Sequence, residues 1–307
     1  MASDVSRGRY VPGLVYRHIS ARKMAVGVLE VAGKVVRVRV FQRPHRRGQR
    51  GQVRGFSQAS KRRLVVTAAA IDWGALPGVA YLITLTYPGK EAPEFVPTDG
   101  RVARRHLKAF HERLRRWDKL AAAPAGLWKL ESQRRGAVHY HVFVKLAGPS
   151  LVEVRGWVAK AWWEVVGSGS LDHLRAGTNA KRWGEQKDRW EGADPSLVGL
   201  YFAKYAAKWG GKAYQNEMPT GGGWGRWWGT WGVRVKWEQH PVEAREVVQL
   251  QRAFRRYQRR GAAKGRRYSK RHVVGRGDVA RRMLDLYRGN RAEWDRGQQE
   301  GGSRGEG

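Results

Sequence analysis

Apolar residues recur at helical spacing in several stretches of the chain. Between Gly100 and Leu120, Ala103, Leu107, Phe110, Leu114 and Trp117 form one stripe, with Arg104, Arg105, Lys108 and Arg115 turned away. Leu151 to Val166 repeats the pattern through Val154, Trp157, Val158, Ala161, Trp162 and Val165, and Ser57 to Ile71 reads as another helix. Other stretches alternate with a period of two or are dense in β-branched and aromatic residues, as strands are. Val35–Val40 predicts a half-buried ribbon, and Tyr81–Tyr87 a hydrophobic strand carrying Thr84 and Thr86. Leu127–Gln133 and Ala137–Val144 predict a pair of strands, because Arg134-Arg135-Gly136 fits a three-residue hairpin loop with Gly136 in the left-handed position. In that register Gln133 pairs with Ala137 and Glu131 stands opposite His139. Gly167 to Glu191, which contains Asp172 and His173, is polar and predicts a hairpin or loop. The whole predicts an α+β fold, an antiparallel sheet with helices mainly on one face.

One further helix breaks the apolar rule. It starts near Pro195 and Ser196 and stops at Gly210-Gly211, and within it Tyr201, Lys204, Tyr205 and Lys208 occupy i, i+3, i+4 and i+7. A helix places those four on one face. Taken alone, the stripe also fits a surface helix whose lysines extend beside two half-buried tyrosines.

Charge narrows the choice of partner. The 307 residues carry 60 Lys and Arg against 26 Asp and Glu, a formal net charge of +34. So large an excess predicts a polyanion, with nucleic acid ahead of an anionic membrane surface. No apolar run is long enough for a transmembrane helix, and the N-terminus lacks the core of a signal peptide, so a cytoplasmic location is expected. Absent cysteines exclude disulfides, zinc ribbons and thiol catalysis, and no phosphate-binding Gly-x-x-x-x-Gly-Lys motif supports ATP-driven unwinding.

Composition also suggests divisions. Residues 1–55 form a basic strand and arm region, with Arg43 to Arg54 as a linker; 56–240 form the main domain; 241–307 form a basic helical tail with a disordered end. From Gln251 to Arg276 there are eleven Lys or Arg and no acid, and Val247, Leu250, Phe254 and Tyr257 predict a helix through its first part. Arg255, Arg256, Arg259 and Arg260 are therefore candidate phosphate contacts. Trp224, Trp227, Trp228, Trp231 and Trp237 lie among glycines between Gly221 and Trp237. Most are expected to close the core, with one or two, Trp228 beside Arg226 foremost, available for stacking on unpaired bases.

The hairpin carries the candidate chemistry. In a strand, His139 and His141 share a face, and the predicted register brings Glu131 to the same place. Two nitrogens and one oxygen suit a catalytic divalent cation, Mg²⁺ or Mn²⁺, with zinc also chemically possible. His106, His111 and His173 are read as non-catalytic, the first two as solvated.

These residues resemble the HUH endonucleases, specifically the two-tyrosine rolling-circle replication initiators of small phages and plasmids, of the filamentous-phage replication-associated type. His139-Tyr140-His141 is similar to the His-hydrophobic-His motif, Glu131 to its acidic third ligand, and Tyr201 to Lys208 to a doubled Tyr-x-x-Lys. Tyr81–Tyr87 is similar to the first motif, and Gly225-Arg226-Trp227-Trp228-Gly229 to an Arg-x-Trp-Gly segment after the tyrosine helix. The likeness spans about residues 56 to 240. It implies an RRM-like sheet and a metal held by Glu131, His139 and His141. It further implies attack by Tyr201 and Tyr205 with help from Lys204 and Lys208, leaving a 5′-phosphotyrosine and a free 3′-OH. Partners so implied are single-stranded or supercoiled origin DNA and the host's helicase and polymerase, with no membrane. A two-tyrosine transposase or a mobilisation relaxase keeps this chemistry. A non-enzymatic basic DNA-binding protein explains the charge but not the aligned site.

Overall fold

The computed structural model describes residues 26–41, 55–118, 124–185, 192–206, 213–217, 219, 221–259, 272–275 and 279–302. The chain divides into two compact units. One takes in Met1–Val31, Val36–Arg46 and Glu238–Val273; the other takes in Ala32–Val35, Arg47–Trp237 and Val274–Gly307.

Elements in chain order are β1 (Gly27–Ala32), β2 (Val35–Val40), α1 (Gln58–Ala70), β3 (Val79–Thr86), α2 (Gly100–Trp117), β4 (Ala125–Ser132), β5 (Val138–Leu146), α3 (Leu151–Val166) and α4 (Leu171–Ala176). They continue with β6 (Thr178–Arg182), α5 (Val198–Ala206), β7 (Trp228–Trp231), β8 (Glu238–Val242), α6 (Ala244–Arg259), β9 (His272–Val274) and α7 (Val279–Gly302). The fold is α+β, with a four-stranded sheet in the order β8-β1-β2-β9 and a five-stranded sheet in the order β6-β3-β5-β4-β7. Among the described residues, no helix is long and apolar enough to cross a membrane.

The four-stranded sheet draws on both ends of the chain. β1 pairs antiparallel with β8, Leu29 opposite His240. Glu30 is buried there, and Arg37, Arg39 and Gln239 bond its two oxygens. A buried carboxylate needs such partners to stay ionised. α6 buries Val247 and Phe254 as its stripe predicts, while Arg256 and Arg259 remain exposed.

The five-stranded sheet carries the site. Its strands show the period-two division of faces. Tyr81, Ile83, Leu85, Tyr140, Val142 and Val144 form one face and are buried. α2 and α3 pack over it: Trp162 is fully buried, lies 6.0 Å from Phe110 and 6.5 Å from Tyr140, and donates its indole N–H to the Thr86 carbonyl at 2.8 Å. Both helices are capped, α2 by Asp99 and α3 by a reciprocal Ser150–Glu153 box. The opposite face carries Thr84, Lys129, Glu131, His139, His141 and Phe143, and α1 and α5 border it. These two helices meet closely at Gly199, where a Cβ would stand 2.7 Å from the Ala68 Cβ and 2.9 Å from the Val65 Cα. Only glycine admits this approach, and it fixes α5 beside the sheet.

Two stretches depart from expectation. The polar segment after Gly167 holds α4 and β6 rather than a loop, because Ser170 caps α4 and β6 completes the sheet edge on β3, with Ile83 opposite Ala180. His106 and His111 are half-buried rather than solvated: His106 bonds the Tyr87 hydroxyl at 3.2 Å, and His111 stacks on Trp231 at 4.2 Å. The expected linker Arg43 to Arg54 lies outside the described residues, as do Arg260 to Arg271 and Arg276 to Asp278 of the tail and its last residues from Ser303.

Candidate metal and phosphate site

The β4–β5 hairpin has the anticipated register. Glu131 pairs with His139, the Gln133 N–H donates to the Ala137 carbonyl at 2.7 Å, and Gly136 takes φ 82°. The left-handed glycine closes the loop in the one length that sets the carboxylate opposite the imidazoles. Nε2 of His139 and Nε2 of His141 each lie 3.2 Å from the same Glu131 oxygen, Oε2. The three ligand atoms all fall within 4.8 Å of one another.

Further residues hold these groups in place. Thr84 Oγ1 contacts Nδ1 of His141 at 3.2 Å, and the Gln133 amide contacts Nδ1 of His139 at 3.3 Å, so both rings are fixed with Nε2 turned to the carboxylate. Phe202 of α5 closes the far side of His141, its ring centroid 6.2 Å away. Lys129, fully buried, donates to the other Glu131 oxygen, Oε1. Its Nζ sits 5.2 Å from the centre of the Phe56 ring, and Lys61 of α1 lies 5.7 Å from the same ring.

Electrostatics follow from this geometry. Burial pushes the Glu131 carboxyl up, but hydrogen bonds from His139 and His141 and the Lys129 charge outweigh it and hold the group well below the usual carboxylate range. Burial lowers the Lys129 ammonium despite the adjacent carboxylate. Burial also lowers His141, against the pull of Glu131, and so favours the neutral ring that binds a metal. The donor set fits a divalent cation: one ionised carboxylate oxygen and two oriented imidazole nitrogens converge, with the exposed side of the cluster left for solvent or phosphate oxygens.

Lys129 is the member that sequence reasoning passed over. It stands two residues before Glu131 in the same strand, so the rule that paired the histidines would have placed it on this face. Glu131→Ala leaves its ammonium buried without an acid. The expected cost is about 3–5 kcal/mol of stability, read as a lowered urea midpoint, because breaking a buried pair strands the remaining charge. A midpoint unchanged from the wild type would contradict the pairing.

The other sequence candidates fall in different places. Tyr201 lies in α5, half-buried, its ring edge-on to Trp183 at 5.5 Å. Lys204 and Tyr205 belong to the same helix, Tyr205 one turn after Tyr201 and Phe202, and their side chains lie outside the described residues. Lys208 and Arg260 also lie outside them. Trp228 pairs across from Lys129 and is anchored by a 3.0 Å bond from its indole N–H to Ser60 Oγ, whereas Arg226 is exposed. Trp227 is buried against Phe56, at 6.2 Å. Arg255 is half-buried in α6, with Nε directed at the Gln251 carbonyl. His173 is a structural pin: buried, it bonds Ser168 Oγ at 2.7 Å and faces the Thr86 carbonyl at 3.0 Å.

Searches of curated proteins and of solved structures found no match. A family model does match: residues 80–209, which run from β3 through the hairpin and into the tyrosine helix, are similar to the replication-associated protein family of the ORF2 and gene 2 protein type.

Proposed function

We propose that this protein is a metal-dependent DNA endonuclease and strand transferase that initiates rolling-circle replication of a phage or plasmid. The observation that carries the reading is the convergence of Glu131, His139 and His141 on the sheet face bordered by the tyrosine helix, within a stretch similar to replication-associated proteins. A basic DNA-binding protein without catalysis needs no such cluster. Origin DNA is the proposed substrate, and the host's helicase and polymerase are the proposed partners.

A phosphodiester resists attack because its oxygens repel nucleophiles, so catalysis is chiefly neutralisation and positioning. Glu131, His139 and His141 would hold Mg²⁺ or Mn²⁺, which when bound supplies positive charge to the non-bridging oxygens of the scissile phosphate. Thr84, Gln133 and Lys129 keep the three ligands oriented. A tyrosine phenol has an unperturbed pKa near 10, so Lys204 and Lys208, each three residues beyond a tyrosine, are assigned to favour the phenolate or neutralise the phosphate. The phenolate oxygen bonds to phosphorus, the P–O3′ bond breaks, and the departing oxygen takes a proton to become a free 3′-OH. Energy of the broken bond is retained in the phosphotyrosine, so rejoining needs no ATP.

Two tyrosines one turn apart allow one to hold the 5′ end while the other cuts the regenerated origin. The packing of Tyr201 against Trp183 supports giving the first attack to Tyr205, with Tyr201 second or assisting. The test is incubation of the protein with single-stranded DNA of its own replicon and Mn²⁺, with a covalent adduct as the expected product.

Arg226, Arg256 and Arg259 are assigned to hold the DNA backbone, with Arg255 and Arg260 in the same role. Because α6 buries Phe254, deleting the tail would damage the fold as well as the charge, so substitution is the better test. Arg256→Glu with Arg259→Glu should weaken binding to all single-stranded sequences alike. It should also reduce the slope of log affinity against log salt by about 0.7 for each phosphate no longer neutralised. An unchanged slope would remove α6 from the DNA-holding surface.

A further inference from the structure

A cleft of about 350 Å³ opens beside His139, lined by Ser132, Gln133, Arg134, Arg135, Tyr214 and Gln215. It is firmly built. Ser132 Oγ donates to the Glu217 carbonyl at 2.7 Å and the Phe56 N–H to the Asn216 carbonyl at 3.0 Å, which ties the short 3₁₀ turn Ala213–Asn216 to β4 and to the start of α1. Arg135 directs its guanidinium to the Tyr87 and Pro88 carbonyls and to Gln133. Arg134 is exposed, its guanidinium carbon 6.0 Å from the centre of the Tyr214 ring, at the outer limit of a cation–π contact. Gln215 buries its side-chain oxygen with no hydrogen-bond partner among the described residues. A buried amide oxygen left in that state costs stability unless a ligand supplies the donor.

An aromatic ring, an exposed cation above it and an unsatisfied acceptor beside them are what an unpaired nucleobase requires: a stacking surface, a counter-charge for its phosphate and a partner for its edge. We propose that this cleft seats one unpaired base of the DNA strand, stacked on Tyr214 beneath Arg134. Gln215 accepts a hydrogen bond from the base's exocyclic amino group, and the seated base sets which phosphate reaches Glu131, His139 and His141. The inference rests on the nuclease reading for its role in catalysis, but not for the binding itself. The acceptor favours adenine, cytosine or guanine over thymine, which has no exocyclic amino group.

Binding measured in chelator separates the subsite from the chemistry. In about 0.2 M salt, where backbone contacts are weakened, fluorescence anisotropy is recorded with oligo-dC and oligo-dT of about twelve nucleotides. Tyr214→Ala should weaken binding of oligo-dC about five- to a hundredfold, and Tyr214→Trp should restore it. The wild type should prefer oligo-dC to oligo-dT, and Gln215→Ala should erase the preference. Wild-type affinity in Tyr214→Ala, or equal binding of the two oligonucleotides by the wild type, would overturn the subsite. Loss of binding in Tyr214→Ala together with no cleavage by the wild type in Mn²⁺ would instead uphold the subsite and overturn the nuclease reading.

Discussion

Replacing either His139 or His141 by alanine is expected to reduce DNA cleavage about a thousandfold, with affinity for the uncut strand changed less than about twofold. Both rings are partly exposed at 17% and 15% on the side chain, so truncation leaves the buried face of the sheet untouched. Each removes one of two nitrogens directed at Glu131 Oε2, leaving too few ligands to hold a cation at millimolar metal. Loss of that charge from the transition state amounts to roughly 4 kcal/mol, or a thousandfold in rate. Affinity is spared because the strand is held by arginines elsewhere and neutral imidazoles add no net charge. Gel-based cleavage and filter binding on one oligonucleotide separate the two effects. Cleavage within tenfold of wild type in both variants would remove the cluster from the mechanism.

Tyr205→Phe is expected to leave only slow single cleavage, Tyr201→Phe to retain most of it, and the double variant to form no adduct. Phenylalanine keeps the ring and therefore the packing of α5, including the edge contact between residue 201 and Trp183, while deleting the nucleophilic oxygen. If the tyrosines alternate, each single variant should cut once and fail to complete the exchange, which a two-step assay with a labelled second strand would reveal. Equal and complete loss in each single variant would mean that they act together in one step. Unimpaired cleavage by the double variant would move the nucleophile off this helix.

Much of the site was legible because hairpin geometry converts spacing into position. The loop length, one left-handed glycine and period-two alternation were enough to set Glu131 opposite His139 and to put His141 on the same face. The amphipathic helices were equally readable, since Leu107, Phe110, Leu114, Val154, Val158 and Trp162 are all buried as their stripes required. β6 was not readable, because its residues are mostly polar and exposed. It is a strand through pairing with β3, so tertiary context decided against local propensity. Burial of Lys129 escaped notice for a related reason, as lysines are seldom buried without a partner, and the partner here is the carboxylate already assigned to a metal. Pairing between β1 and β8, some two hundred residues apart, has no local signature at all.

The central claim is that a tyrosine of α5 attacks a phosphate held at Glu131, His139 and His141. Mass spectrometric mapping of the peptide left covalently attached to DNA tests it most directly, after reaction with single-stranded replicon DNA in Mn²⁺ and, in parallel, in excess chelator. The account predicts a nucleotide adduct on Tyr205, with a smaller share on Tyr201, and none in chelator. An adduct on any residue outside α5, or the same yield with the metal removed, would contradict it.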